Sequence, residues 1–510
     1  MYEVIGSLCA IVLTLALVAI GGVATAQGTG EPHLTILPRT PVEAARVAKI
    51  RAAPTTFETP ERFEANQGGA GTVRRRNDAE AFSLPQQNLD FRQQGDFAVG
   101  NGLFDRPWVT APASTIASDG LGPMFNARSC QDCHVKDGRG HAPLDADNGA
   151  LSLVVRLGRP VVPDEELARY LRSGPDPVYG HQFSDASIAG VAAEGRVAVD
   201  WQDGEKITLP GGEGVTLRRP EWTLTDLAYG DLAHGTAISP RVAPQMIGLG
   251  LIEAIPAADI IAGADPDDAD GDGISGRAHI IWSPEHDIAM LGRFGVRATT
   301  PTLRQQAADA FNTDIGISSP LRPDAAGDCT DPQTICRTAF DGNDVQQGGT
   351  EVSGEMLDLV TFYSRNLGVP RRATVNDPSV LRGKALFHAA RCSACHTPKF
   401  VTHRLADRPE HSFQLIWPYS DLLLHDMGAG LADDLRAGQA TGAEWRTPPL
   451  WGIGLTQQVS GHRQFLHDGR ARSLTEAILW HGGEGQASRD AFASFPPADR
   501  AALIAFLESL

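Results

Sequence analysis

Two pentapeptides of the same form constrain this chain more than any other feature. Both read C-x-x-C-H, and they occupy residues 130–134 and 392–396. Two thiols at this spacing add across the two vinyl groups of one porphyrin, and the following His ligates the iron. Each pentapeptide therefore predicts one covalently attached haem c, so the fold must enclose two haems. The predicted attachment and ligand residues are Cys130, Cys133 and His134 at the first site, and Cys392, Cys395 and His396 at the second.

Two other interpretations of a C-x-x-C pair were weighed against haem attachment. Paired zinc knuckles usually lie about 15–20 residues apart, whereas the first cysteines of these pairs are 392 − 130 = 262 residues apart. A redox C-x-x-C does not require a His at the next position in both copies. Both alternatives therefore explain the two pentapeptides less well than two haems do.

Cys329 and Cys336 form a third close pair, seven residues apart and without C-x-x-C spacing. In an oxidising compartment this spacing predicts a structural disulfide that closes a loop. A catalytic dithiol is the alternative.

The N-terminus has the pattern of an exported protein. No charged residue occurs between Glu3 and Glu31, residues 8–20 are almost wholly apolar, and Ala24–Ala26 forms an A-x-A cleavage site. The usual positive charge before the apolar run is missing, so an uncleaved membrane anchor beginning at Val4 is the alternative. We expect a signal peptide over 1–26 and a periplasmic protein, associated with a membrane only if that segment is retained.

Charge excludes one class of partner. The chain carries 44 Lys and Arg against 62 Asp and Glu, a formal net charge of −18. Such a chain repels phosphate backbones, so we expect no nucleic-acid partner. A basic protein or a small molecule fits this charge better.

The pattern around the second pentapeptide is helical, which sets the predicted fold class. Asp377 is a candidate N-cap for a helix over 380–390, and apolar residues repeat at helical spacing over 498–510. Gly383 and Phe387 on the first of these helices resemble the opening helix of a class I cytochrome c. The predicted fold is therefore mainly α, with two class I cytochrome c-like haem domains and long irregular loops.

An internal sequence similarity favours a duplicated haem domain. Residues 244–251 (PQMIGLGL) resemble 448–455 (PPLWGIGL), and each octapeptide follows its haem pentapeptide. Coincidence in a Gly-rich chain is the alternative. Alternating residues around Gly turns over 196–224 predict a small β-hairpin insert in the first copy. The predicted division is 1–26 signal peptide, 27–95 N-terminal extension, 96–260 first haem domain, 261–371 linking region and 372–510 second haem domain.

An acidic loop in the linking region has the spacing of a Ca²⁺ site. Asp268, Asp270 and Asp272 stand at positions one, three and five, with a Gly at position six. His279 occupies the twelfth position, where an EF-hand carries Glu, so a complete EF-hand is excluded. We expect Asp268, Asp270 and Asp272 as possible Ca²⁺ ligands, and a solvated acidic turn is the alternative.

Long strings of residues resemble the di-haem oxidoreductase family, whose members are also called di-haem peroxidases and are often labelled thiol oxidoreductases. These strings cover most of the chain after the predicted signal peptide, and a more distant similarity extends to bacterial di-haem cytochrome c peroxidases. The family implies a periplasmic c-type cytochrome that moves electrons between two haems. The strings that carry the resemblance are residues 119–130, 137–140, 292–295, 418–428, 444–452, 466–472 and 480–484.

The resemblance also implies candidates for the sixth iron ligand of the second haem. In the related peroxidases this ligand follows an HDG-type stretch, on a helix that resembles residues 474–481 here. His481 takes that position, with Met427 as the second candidate. Family peroxidases carry Met or Tyr at this position, so a His ligand would be a departure from the family. The alternative is that His481 is only hydrogen-bonded and ligates no iron. The full set of candidate sixth ligands for the second haem is His425, Met427, His467 and His481.

The first haem has a more open set of candidates, namely His141, Met124, Met246 or no sixth ligand. An open iron with a carboxylate above it suits cleavage of a peroxide O–O bond. Glu253 is the catalytic candidate, and a Glu paired with Arg near the core is the alternative.

Aromatic and cationic residues near the haem motifs have two interpretations each. Arg446, Arg470 and Arg472 are candidate partners for haem propionates, since guanidinium groups suit carboxylates. Solvated arginines are the alternative. Trp451 and Trp480 either lie between the haems or fill the core.

The leading hypothesis is a secreted di-haem c-type oxidoreductase. A small redox protein or another electron donor reduces the second haem, and an acceptor such as hydrogen peroxide reacts at the first. A pure electron-transfer cytochrome without a substrate pocket is the alternative, and a sensor or maturation factor that acts on a protein partner is a third hypothesis.

Overall fold

The computed structural model describes residues 30–115, 118–144, 152–160, 170 and 173–510. The predicted signal peptide lies outside these residues. About 30 % of the chain is helical and 19 % is strand. No helix within the described ranges is both long and apolar enough to span a membrane.

Helices are short except where they pack in pairs. The α-helices of the described residues are α1 Pro41–Arg51, α2 Phe91–Phe104, α3 Cys130–Cys133, α4 Leu249–Glu253, α5 Ala257–Ile261, α6 Leu303–Ala310, α7 Thr334–Arg337, α8 Gly354–Asn366, α9 Pro378–Ala389, α10 Thr456–Ser460, α11 Leu474–Leu479, α12 Gln486–Ser494 and α13 Pro497–Ser509.

Strands form small antiparallel sheets scattered along the chain. Six sheets have two strands each, and β3 lies between β4 and β8 in a sheet of three. The strands are β1 Ile36–Leu37, β2 Met124–Phe125, β3 Leu153–Gly158, β4 Gln182–Phe183, β5 Ala186–Ser187, β6 Arg196–Thr208, β7 Gly214–Thr225, β8 Ala237–Val242, β9 Ile280–Ser283, β10 Ile288–Leu291, β11 Phe400–Val401, β12 Arg404–Leu405, β13 Leu415–Ile416, β14 Leu424–Asp426 and β15 Glu444–Arg446.

The prediction of a mainly α fold built from two class I cytochrome c-like domains is wrong. The structure mixes helices with many small antiparallel sheets and does not show that fold. Most of its strands have two to four residues, which is shorter than the window over which alternation can be recognised in a sequence. The hairpin of β6 and β7 has strands of 13 and 12 residues, and it is the one pairing that the alternation predicted.

Two helix pairs pack in the same way, one near each haem motif. Helix α2 packs on α8, and α9 packs on α13. A side chain at Gly100 in α2 would collide with the backbone of Leu359, and one at Gly383 in α9 would collide with that of Ala502. Each pair therefore depends on a glycine where the helix backbones approach. Helix α8 lies in the predicted linking region, yet it packs against the helix that precedes the first motif.

The two similar octapeptides, residues 244–251 and 448–455, adopt similar backbone conformations and contact each other. Gly248 and Gly452 have φ of +72° and +75°, and each precedes a short helical turn. A side chain at Gly248 would meet Trp451, and one at Gly452 would meet Ile247 and Phe82. Both segments belong to one buried apolar cluster. Trp451, which is 1 % exposed, therefore fills the core between the two octapeptides.

The N-terminal segment after residue 30 lies against the rest of the molecule. Glu31 pairs with Arg293 at 2.6 Å, and β1 pairs with β12. Farther along, Glu64 forms a buried ion pair with Arg372. This segment therefore contributes side chains to the interior around the second haem motif.

Candidate haem-binding sites

The first motif begins with a capped helical turn. Ser129 accepts a hydrogen bond from the Asp132 amide and Asp132 accepts one from the Ser129 amide, which closes a capping box over α3. His134 follows the turn, and its Nδ1–H donates to the Pro244 carbonyl at 2.7 Å. Because Nδ1 carries the proton, Nε2 of the neutral ring is free to ligate a metal. Burial lowers the pKa of His134, which keeps the ring neutral.

The second motif presents its histidine in the same way. The turn Cys392–Ala394 follows α9, and His396 Nδ1–H donates to the Tyr419 carbonyl at 2.9 Å. Burial lowers the pKa of His396 to about 4 against the opposing effect of that hydrogen bond, and the charge of the nearby His481 lowers it further. Phe387 lies 6.3 Å from the His396 ring, as Phe104 lies 6.2 Å from His134. The two motifs thus share one local arrangement.

In the structure the four motif cysteines are not disulfide-bonded. Burial raises the pKa of Cys130 and of Cys392 to about 12, so both are neutral. Zinc requires thiolates that converge on one point, and the described part of the chain groups none of these cysteines with other ligands at such a point. A protonated thiol in an apolar setting fits thioether attachment to a haem instead.

The surroundings of both motifs fit a large apolar group. Cys130 packs with Phe104, Leu121, Phe125 and Met246 in one buried cluster. Cys392 belongs to another, with Phe387, Trp417, Leu450 and Trp480 among its members. Within this second cluster the indole N–H groups of Trp417 and Trp480 are buried and have no partner in the described chain.

Arg446 fits the propionate of a haem better than the other two predicted arginines. Its guanidinium donates to the carbonyls of Gly295 (2.9 Å) and Thr447 (3.2 Å), and burial lowers its pKa to about 10. No described carboxylate pairs with it. Arg470 is instead paired with Asp468 at 2.8 Å, and Arg472 is paired with Glu476 at 2.8 Å.

Sequence reasoning missed a second arginine of this kind, Arg139. It donates to the carbonyls of Gln464 and Leu466, and burial lowers its pKa to about 10. The described residues hold no carboxylate in an ion pair with it. The only signal was its place in the string 137–140, five residues after His134, and that string does not reveal burial.

Two of the four candidate sixth ligands near the second motif are already engaged. His425 donates to Asp421 (2.8 Å) and Glu484 (2.6 Å). Burial opposes protonation of His425, but these hydrogen bonds raise its pKa well above the usual value. His467 stacks on Trp445, with ring centroids 3.6 Å apart. His481 and Met427 therefore remain as candidates.

His481 and Met427 both lie next to Gly485. A Cβ at Gly485 would stand 3.2 Å from His481 Cδ2 and 3.3 Å from Met427 Cε. His481 Nδ1 donates to the Ala477 carbonyl at 2.7 Å, which leaves Nε2 free to ligate. Because Ala477 and Ile478, just before His481, pack in the apolar cluster of Cys392, His481 is the better placed of the two.

The three candidates for the first haem occupy different settings. Met246 shares the apolar cluster of Cys130. Met124 packs with the Cys329–Cys336 pair in a separate cluster. His141 donates to the Ala142 carbonyl, and its ring lies 5.4 Å from that of His462.

Glu253 is completely buried and held by cations. Its carboxylate accepts from the Leu303 amide (2.8 Å) and pairs with Arg365 (2.9 Å) and Arg408 (2.7 Å). Burial opposes ionisation, but the two guanidinium groups hold its pKa far below the usual value. These contacts are those of the alternative interpretation, a Glu paired with Arg, and its catalytic role stays a prediction.

The acidic loop gathers three aspartates beside the second site. Ligand atoms of Asp265, Asp268 and Asp270 lie within 4.8 Å of one another. Asp272, which was predicted to join them, pairs with Arg391. Ser275 donates to Glu484 at 2.5 Å, so Glu484 connects this loop to His425, which lies 3.5 Å from Cys395 Sγ.

Cys329 and Cys336 form a disulfide, as their spacing predicted. They are 8 % and 1 % exposed. A buried disulfide fits the structural role better than the catalytic dithiol.

The two sites fit a class of protein that binds two haems and carries out redox chemistry. A family model described as "Di-haem oxidoreductase, putative peroxidase" matches residues 62–158 and 203–510. The chain belongs to the di-haem oxidoreductase family.

Other comparisons add little. No curated protein matches the chain. A solved structure of Kuenenia stuttgartiensis hydrazine synthase, pressurised with 20 bar xenon, is 18 % identical over 32 % of this chain and 57 % of that chain, with a TM-score of 0.21. A similarity of this size carries no argument about fold or function.

Proposed function

We propose that this di-haem oxidoreductase is an exported c-type cytochrome that takes electrons from an external donor at the second site and delivers them to hydrogen peroxide at the first. Reduction of one peroxide to two waters consumes two electrons and two protons, so the donor must supply two electrons per turnover. The acceptor, the donor, the covalent attachment and the compartment are all parts of this proposal.

A difference between the two sites is the observation that carries the proposal. Near His396, the helix that ends just before His481 packs through Ala477 and Ile478 in the same apolar cluster as Cys392, which brings a second imidazole to this site. Of the three candidates for the first haem, Met246 shares the apolar cluster of Cys130, and its thioether binds ferric iron more weakly than an imidazole does. Two filled axial positions suit electron transfer, and an open position suits peroxide chemistry.

The residues of the chain hold and orient the two haems in this proposal. Cys130, Cys133, Cys392 and Cys395 form the thioether bonds, while His134 and His396 are fixed by backbone carbonyls so that Nε2 ligates. Arg139 and Arg446, which form no ion pair within the described part of the chain, neutralise the propionates. The haems supply the reversible one-electron chemistry when bound.

Electron paramagnetic resonance and a turnover assay test the proposal together. We expect one low-spin and one high-spin ferric signal from the oxidised protein, and consumption of peroxide when a reduced donor is added. Two low-spin signals, with no turnover even after partial reduction, would favour the pure electron-transfer cytochrome instead.

Replacing His481 by Ala should change the second haem from low-spin to high-spin, because it removes the proposed sixth ligand. Met427→Leu is the matched control, since Met427 also lies next to Gly485, and we expect it to leave the spectrum unchanged. Absorption and resonance spectra of the oxidised variants measure both. A low-spin His481→Ala protein together with a high-spin Met427→Leu protein would transfer the role to Met427.

The compartment and the donor rest on simpler observations. A disulfide at Cys329–Cys336 suits an oxidising compartment such as the periplasm. The formal net charge of −18 favours a basic redox protein as donor. The mass of the mature N-terminus tests export, and a donor reaction that does not slow as salt is added would contradict electrostatic docking.

We also propose that Asp265, Asp268 and Asp270 bind Ca²⁺, with Asp265 in place of the predicted Asp272. Carboxylate oxygens are the ligands that Ca²⁺ prefers. Calorimetric titration of the chelator-treated protein should show one binding site that Asp268→Asn weakens. An Asp490→Asn variant, outside the loop, serves as control, and equal binding by wild type and Asp268→Asn would exclude this ligand set.

A further inference from the structure

Tyr419 lies at the point where the chain returns to the second haem motif. Its carbonyl accepts the Nδ1–H of His396 at 2.9 Å. The next two amides bind back to the same motif, Ser420 N to the Thr397 carbonyl and Asp421 N to that of Cys395, each at 2.9 Å. Residues 419–421 therefore run along residues 395–397 and set where the carbonyl points.

The backbone of Tyr419 needs outside support to hold this position. Its φ is +51°, in the left-handed region that a residue with a large side chain rarely adopts. The side chain is 0 % exposed and packs against both Phe387 and Phe506, with ring centroids 5.9 and 5.7 Å away. Such a conformation persists only where the surrounding contacts determine it.

The hydroxyl of Tyr419 is anchored in a buried charged cluster. It lies 3.4 Å from Glu64 Oε1, to which it donates, and it accepts from Arg372 Nη1 at 3.3 Å. Glu64 is 1 % exposed and also pairs with Arg372 and with Lys384, whose Nζ is 2.8 Å from Oε2. The cluster thus joins the N-terminal segment, the stretch before α9 and α9 itself.

We propose that Glu64 and Tyr419 are positioning residues for the proximal ligand of the second haem. The anchored phenol holds Tyr419 in its left-handed backbone, and the carbonyl so placed orients His396 and accepts its proton. A hydrogen bond of this kind makes an imidazole ligand more basic. A more basic ligand stabilises the ferric state, so the anchor lowers the reduction potential of the second haem. This inference rests on the proposed function, in which His396 ligates that haem.

Tyr419→Phe in the holoprotein tests the inference, because it removes the hydroxyl and keeps the ring. A redox titration followed by the visible spectrum should resolve two components, one for each haem. We expect one component to rise by about 59 mV, which is a tenfold change in the one-electron equilibrium constant. The g values of the low-spin ferric signal should shift in the same variant.

Tyr363→Phe is the matched control. The hydroxyl of Tyr363 is also buried and donates to a carboxylate, that of Asp137 at 2.8 Å, but it lies beside the first motif. This variant should leave unmoved the component that Tyr419→Phe shifts. Glu64→Gln, which keeps the shape of the side chain, should raise the same component as Tyr419→Phe and gives a second test if that variant folds poorly.

Two failures are distinguishable. If Tyr419→Phe and Glu64→Gln melt at lower temperature but both potentials stay unchanged, the cluster only stabilises the fold and the inference is overturned. If the wild-type protein carries no covalent haem at Cys392 and Cys395, the proposed function itself fails.

Discussion

Replacing Cys392 and Cys395 by Ala should remove one of the two haems and leave the other in place. The first cysteines of the two motifs are 392 − 130 = 262 residues apart, and Cys130 and Cys392 pack in separate apolar clusters. We therefore expect each haem to attach independently. Mass spectrometry should show the mass of one haem missing, and the Soret absorbance per chain should fall to about half, since each C-x-x-C-H binds one haem.

The matched control for this experiment replaces the other cysteine pair. Cys329→Ala with Cys336→Ala removes the same number of cysteines, yet these two form a disulfide and should carry no haem. We expect this variant to keep both haems and to lose stability. Two haems on the Cys392→Ala, Cys395→Ala protein would contradict the attachment assignment.

Replacing Glu253 by Ala should lower the free energy of unfolding by about 3–5 kcal/mol, the usual cost of breaking a buried ion pair. The change leaves the guanidinium groups of Arg365 and Arg408, which are 14 % and 16 % exposed, without their shared carboxylate. The Leu303 amide also loses its acceptor. Urea unfolding of wild type and variant measures the difference.

An exposed ion pair provides the control. Glu205, which is 57 % exposed, pairs with Arg489 at 2.7 Å, and Glu205→Ala should cost only about 0–1 kcal/mol. An unchanged unfolding energy for Glu253→Ala, with loss of peroxide turnover, would instead support the catalytic role predicted for Glu253.

The stabilisation by Glu253 should also depend on pH in one direction. Its pKa in the folded state is held well below the usual value of 4.5 by Arg365 and Arg408, against the opposing effect of burial. The contribution is therefore complete above pH 4.5 and is lost as the pH falls toward the folded-state pKa. Wild type should lose more stability than Glu253→Ala over that range.

Structural features that depend on a few consecutive residues could be predicted well from the sequence. The helix expected over 380–390 is observed as Pro378–Ala389 with Asp377 as its N-cap, and that expected over 498–510 as Pro497–Ser509. The long hairpin and the disulfide were predicted correctly too. Capping, helical spacing and alternation all act between residues close in sequence, so their pattern is visible there.

Contacts between distant segments could not be predicted. Examples are the packing of α2 on α8, the ion pair of Asp272 with Arg391, and the small sheets that make the fold mixed. In each case the two partners are far apart in sequence, and neither segment shows a pattern that identifies the other. Strands of two residues pair because the surrounding fold brings them together. Their own composition shows no preference that a pattern could reveal.

Two pentapeptides were therefore enough to predict two haems, which the family match supports, because the C-x-x-C-H spacing is specific to haem binding. The environment of the pentapeptides could not be predicted from them. Contacts between distant segments decide the partners of Arg446, the ion pairs of Glu253 and the carbonyl that orients His396. For His396, those segments are as far apart as Glu64 and Tyr419. Only folding brings such segments into contact, since burial and charge pairing are properties of the packed interior.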